Sequence, residues 1–189
     1  MSKYTFFNKI IPDDKLISHL VSQMYEDFGF TFHSQMDEIK DLSVKILNKY
    51  KIEIKYLFVD FEEEDVKSKY GLKKNTDVVA IKYPSNYLFV FNKKNGFNNN
   101  RYLFLKALAY ILFDRLETNE EIRLSLELAH EKNEELAEKF ACEFLIPKWK
   151  YNILKDLIVE FDEAKLIESQ KHLNKHILEV RKNRCVLNK

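Results

Sequence analysis

Lys106, Tyr110 and Asp114 follow one another at intervals of four residues inside the most apolar stretch of the chain, RYLFLKALAYILFD (101–114). On a helix that interval keeps the three side chains in one slowly drifting stripe on a single face. A buried ammonium costs several kcal/mol (order of magnitude) unless it is paired or neutralised, so the stripe must face a partner or a cleft. Two readings are open to it. A lysine desolvated in an apolar pocket can act as a nucleophile or a base, with Tyr110 handing on a proton. Alternatively Lys106 pairs with Asp114, Glu135 or another acid and does no chemistry at all.

Two further spacings could hold a divalent ion. His130-Glu131-x-x-Glu134 has the helical interval of a metal pair, but it lies in a glutamate-rich stretch that reads more simply as the solvated start of a helix. His172 and His176 are also four apart, with only Glu168 and Glu179 as nearby acids. His19 and His33 stand alone and read as packing or surface residues.

Composition narrows the classes of function. Lys+Arg 31 against Asp+Glu 30 gives no overall bias toward nucleic acid or an anionic membrane. The chain has three glycines, Gly29, Gly71 and Gly96, and none are clustered, so a phosphate-cradling glycine loop is missing and with it nucleotide chemistry of that kind. The start, MSKYTFFNKIIPDD, lacks an apolar run followed by a small-residue cleavage site. Cys142 and Cys185 form no metal or disulfide spacing and suit a reducing compartment, so the expectation is a cytoplasmic protein. The central helix is too short, with Lys106 in its middle, to span a bilayer.

The elements that must position the stripe follow from periodicity. Residues 13–28 read as a helix, with Asp13 or Asp14 as its cap and Gly29 as its stop. A second helix starts after Ser34, with Asp37 and Glu38 in its first turn, and runs to Tyr50. KIEIKYLFVDF (51–61) alternates and reads as a strand. DFEEED (60–65) and the polar stretch 66–77 read as a solvated connection. Asp77 to Asn92 reads as a hairpin turning at Pro84-Ser85-Asn86. Thr118 with Glu121 offers a helix capping box, and IRLSLEL alternates although its residues prefer helix; the reading taken is helix. Glu131 to Ile146 is a helix with the seam Leu136, Ala137, Phe140, Ala141, Phe144 and Leu145, ended by Pro147. Helices over 148–161 and from Asp162 to about Arg184 complete the chain. The expectation is a single α+β domain over 1–189: N-terminal helices (1–50), a core with about three strands (51–150), and C-terminal helices (151–189).

Charge is uneven along the chain. Residues 117–138 hold eight glutamates against Arg123 and Lys132, whereas 171–189 hold six Lys/Arg against Glu179. A basic helix end is favourable toward the helix dipole, and a nucleic-acid face would be basic over a broader surface.

Three features occur in order: FVFN (89–92), RYLFLKALAY (101–110) and ELAEKFACEFLIP (135–147). On these the chain resembles, over roughly residues 40–150, the ImmA/IrrE family of intracellular zinc metallopeptidase-like proteins. In that family an Arg-aromatic pair leads into A-H-E-x-G-H, and a second helix reads E-A-N-x-F-A-x-x-L-L-x-P. Ala137, Phe140, Ala141, Leu145 and Pro147 stand where the family has them, with Phe144 for a leucine. The chemistry-bearing positions depart from it. Lys106 replaces the first zinc histidine, Ala107 the general-base glutamate, Tyr110 the second histidine and Leu136 the third ligand, while Ala109 replaces the glycine. Glu135 lies beside the lost ligand but about 100° round the helix from it.

A catalytic zinc needs about three protein donors and an open position for water. An ammonium repels the ion, alanine and leucine offer no donor, and Ala107 cannot act as a base. The resemblance therefore implies a zincin-like fold, a relict cleft with no metal, cofactor or catalytic residue, and a regulatory role. Its members are often carried on phages and mobile elements and act on helix-turn-helix repressors. The implied partner is a protein, a repressor or a host factor, held in the former substrate cleft or at 117–138. The alternative from another class is an active hydrolase with a substituted site, using Lys106 or a metal set that includes His130.

Overall fold

Four strands, β1 (Ile54–Val59), β2 (Val78–Lys82), β3 (Tyr87–Asn92) and β4 (Glu121–Leu124), form one mixed sheet in the order β1-β3-β2-β4. The computed structural model describes residues 14–30, 38–126 and 131–147. Within these residues the helices are α1 (Asp14–Phe28), α2 (Ile39–Tyr50), α3 (Glu64–Tyr70), α4 (Phe97–Leu112) and α5 (Lys132–Leu145). The architecture is mixed α+β. No helix among the described residues is long and apolar enough to cross a membrane.

β2 and β3 pair antiparallel through a turn closed by the Tyr83 N–H donating to the Asn86 carbonyl at 2.8 Å. β1 lies parallel to β3 on one side, and β4 antiparallel to β2 on the other. The two inner strands are apolar on both faces because both faces are covered. Phe89, Phe91, Val78 and Ala80 point toward the main core, where Phe89 meets Phe104 of α4 edge to face at 5.5 Å. Val79 and Val90, the alternate residues, join Phe61 and Tyr70 in a second, smaller core under α3.

α4 is buried from Arg101 to Leu112, which explains its nearly unbroken apolar sequence: the sheet lies on one side and α5 on another. α1 closes the far side of α5. Its Tyr25 hydroxyl donates to the Phe144 carbonyl at 2.6 Å, and the Tyr25 and Phe144 rings meet edge to face at 5.4 Å.

Three sequence expectations change. The sheet has four strands rather than about three, and the fourth, β4, occupies residues read as helix. Thr118 and Glu121 do not cap a helix: Asn119 takes a left-handed conformation (φ 65°), the chain turns, and Glu121 opens the strand. The period-two alternation of IRL was the true signal, because β2 offered an open edge that helix propensity could not outweigh. Residues 64–70, read as loop, form α3, whose Val66 and Tyr70 cover the second face of the sheet. α4 also begins at Phe97, four residues before the apolar run. The expected helices over 148–161 and 162–184 lie outside the described residues, as do His33, His130, His172 and His176.

Candidate functional site

Lys106 is wholly buried at the middle of α4. Its ammonium donates to Glu134 Oε1 at 2.9 Å, to Glu138 Oε1 at 3.3 Å and to the Ser125 carbonyl at 2.9 Å. It also lies 5.6 Å from the centre of the Tyr102 ring. An ammonium has three N–H donors, and here three acceptors take them. Glu134 and Glu138 are four apart on α5, so one face of that helix presents both. The carbonyl comes from just beyond β4. Lys106 therefore ties α4, α5 and the end of the edge strand together at one point.

The position of the Ser125 carbonyl follows from the strand. Glu120 and Leu124 turn their carbonyls to β2, accepting from Lys82 N–H at 3.3 Å and Asp77 N–H at 2.9 Å. Alternation turns the carbonyl of Ser125 the other way, toward α4 and α5. Asp77 secures the same segment from the sheet side, its Oδ2 accepting from the Leu126 N–H at 2.8 Å. Further back, Lys82 donates to the Leu116 carbonyl at 2.8 Å and pairs with Asp114 at 3.5 Å, fixing the connection from α4 to β4.

Beside this knot is a cleft of about 300 Å³, between the end of α4 (Tyr110, Arg115), β4 and the start of α5 (Glu131, Asn133, Glu134). Ile122, Arg123 and Leu124 all line it. Ile122 and Leu124 send their side chains to the α4 face of the sheet and Arg123 the opposite way, so the cleft opens on that face beside β4, whose outer edge pairs with no other strand among the described residues. The Arg123 guanidinium itself is engaged on the α3 side, donating to the Tyr70 carbonyl at 3.1 Å and pairing with Glu121. The Tyr110 hydroxyl is pushed well above the usual range for a phenol, first by burial and then by the carboxylates of Glu134, Glu131, Glu138 and Glu120. It is a proton-bearing donor at the cleft wall.

The expected stripe is only partly assembled. Lys106 and Tyr110 share the α5-facing side of α4. Asp114 lies past the helix end in a left-handed conformation (φ 48°) and meets Lys82, not Lys106. Glu135 is half-buried and is not among the three groups that hold the ammonium. Ala107 is wholly buried in the core. Leu136 is buried too, but it stands about 160° round α5 from both Glu134 and Glu138, and so is not directed at the ammonium. The partners that sequence reasoning missed are Glu134, Glu138 and the Ser125 carbonyl. No signal singled one out: Glu138 is one of four glutamates on α5 and lies just outside its apolar seam, and only the packing of α5 on α4 buries it.

The residues that the resemblance aligns with zinc ligands do not fit a zinc ion. Lys106 brings a positive charge, Ala107 and Leu136 bring hydrocarbon, and Tyr110 keeps its proton. Among the described residues no group of three or more His, Cys, Asp or Glu is placed to hold a metal ion. The alternative centred on His130 lies outside them. Compared with family models, with curated proteins and with solved structures, the chain finds no significant match in any of the three.

Proposed function

We propose that this chain is a binding protein on a zincin-like, metallopeptidase-like frame, a pseudoenzyme that works by holding a protein partner. The partner segment lies along the outer edge of β4, in the cleft walled by Tyr110, Glu131 and Glu134. The observation that carries this reading is the Lys106 ammonium, held by Glu134 and Glu138 at the position that the resemblance aligns with the first zinc histidine, while Leu136, aligned with the third ligand, is turned away from it. It supports the loss of the chemistry, since all three N–H donors are spent on structure and none is left for a substrate. A lysine so held is also a poor nucleophile, which weighs against the lysine-dependent hydrolase.

The open strand edge favours an extended segment, bound by main-chain hydrogen bonds with side chains supplying selectivity. Exposed Glu120 and Glu131 at the cleft favour a basic residue in that segment, with steering that fades as salt rises. A regulatory protein such as a repressor with a basic, strand-forming tail, or a host factor of that kind, fits these terms.

The test uses a displayed library of random twelve-residue peptides and metal analysis of the purified protein. Enrichment of basic, strand-forming peptides whose binding falls at least tenfold in the Glu131→Lys variant supports the reading. Stoichiometric zinc together with cleavage of the library overturns it.

A further inference from the structure

The opposite edge of the sheet has a different character. β1 is six residues long, and among the described residues no strand pairs with its outer edge. Leu57 and Phe58 are adjacent, so they point to opposite faces, and each is 46 % exposed. An edge strand apolar on both faces is a template for pairing with another chain. We infer that β1 is a self-association edge, pairing antiparallel with β1 of a second copy across a twofold axis at Leu57 to join two sheets into one.

The hydrogen-bond pattern restricts the register. The Glu53 and Val59 carbonyls accept from Tyr87 and Lys93 N–H groups at 2.9 and 2.8 Å, so the odd-numbered residues of β1 face β3. Ile54, Tyr56 and Phe58 therefore turn their N–H and C=O groups outward. In an antiparallel ladder an outward residue must oppose another outward residue. That leaves axes at single residues, of which Tyr56, Leu57 and Phe58 are the central ones.

An axis at Tyr56 sets Lys55 against the exposed Leu57. One at Phe58 sets Glu53 toward Glu63 of the other copy. With the axis at Leu57, Leu57 meets Leu57 on the α3 face, and Tyr56 meets Phe58 twice on the α4 face. Those two rings already lie edge to face at 5.9 Å within one chain, and Phe58 stacks on Phe91 at 5.4 Å, so the second copy extends an existing aromatic row. The same register brings Lys51 and Lys55 of one strand toward Asp60, Glu62 and Glu63 of the other, an end that stays net negative although Lys93 and Lys94 of its own chain pair with these three carboxylates. A twofold, self-complementary contact of this kind closes as a dimer and does not propagate.

The test is made on the full chain in a Cys185→Ser background, where the remaining Cys142 is buried. Opposed non-hydrogen-bonded residues have Cα atoms about 4.5 Å apart, within disulfide reach. Leu57→Cys should cross-link to a dimer under mild oxidation, and Lys55→Cys, which faces Val59, should not. In sedimentation equilibrium the unmodified chain should dimerise at micromolar concentration, and Leu57→Lys should weaken the dimer at least tenfold with unchanged circular dichroism. A chain that stays monomeric at 100 µM (about the highest concentration tested), a dimer indifferent to Leu57→Lys, or cross-linking of Lys55→Cys as efficient as that of Leu57→Cys would each overturn the inference.

Discussion

The ammonium of Lys106 lies 3.3 Å from Oε1 of Glu138, and both side chains are cut off from solvent. Glu134, one turn earlier on α5, completes the set at 2.9 Å and is partly exposed. The pair joins two helices that pack extensively against each other, and it stands beside the cleft.

Removing one partner of such a pair strands the other charge. Glu138→Leu should destabilise the protein by about 3–5 kcal/mol, whereas combining it with Lys106→Met should recover most of that loss. Urea unfolding of both single variants and the double variant measures the coupling. Strictly additive effects would show that the two charges do not depend on each other.

Lys106→Met alone also frees the Ser125 carbonyl. Amide exchange should then quicken across 121–126 while the β2–β3 hairpin stays protected, because only the end of the edge strand loses a tether. Equal loosening across the whole sheet would contradict the tethering role.

Gly71 ends α3 with φ 54°, and a Cβ built there meets Arg123 Nη2 at 2.6 Å. Gly71→Ala should cost about 1–2 kcal/mol in left-handed strain, with a further loss as Arg123 is pushed off the Tyr70 carbonyl. Gly29, at φ 68° with nothing within 4 Å, supplies the comparison: Gly29→Ala should carry the backbone cost alone. Thermal or urea unfolding of both variants checks the difference, and equal losses would remove Arg123 from the account.

Burial raises the hydroxyls of both Tyr25 and Tyr110, with the Glu143 carboxylate adding to the first and the cleft glutamates to the second. The unfolded chain releases these protons near pH 10 (about the ordinary phenol value), while the folded chain keeps them. Above that pH the unfolded state binds fewer protons, so stability should fall as pH rises from about 10. Tyr25→Phe with Tyr110→Phe should flatten that decline relative to the unmodified chain. Unfolding free energies measured from pH 8 to pH 11 (an approximate window), with tyrosinate absorbance followed alongside, give the comparison.

Legibility in the sequence followed the reach of each signal. The hairpin of β2 and β3, the burial of α4 and the extent of α5 were readable because the period of the apolar residues is set by local geometry and by one dominant buried face. α3 was hidden because DFEEEDVKSKY looks like a solvated run; its few apolar residues matter only once Val79 and Val90 present a second face to cover. β4 was misread for a related reason. Its residues favour helix in isolation, and an open edge on β2 reverses that preference.

The eight glutamates of 117–138 looked like one acidic surface. Folding assigns several of them separately: Glu121 to Arg123, Glu134 and Glu138 to Lys106. Sequence alone determined that Lys106 needed a partner or a cleft, because an ammonium in the middle of an apolar helix is costly unless paired or neutralised; the choice of an anion was made by the fold. Which anion was a matter of how α5 turns about its own axis. A rotation of about 160° separates Leu136 from the two glutamates that meet the lysine, and helical periodicity carries no information about that angle until another helix packs against it.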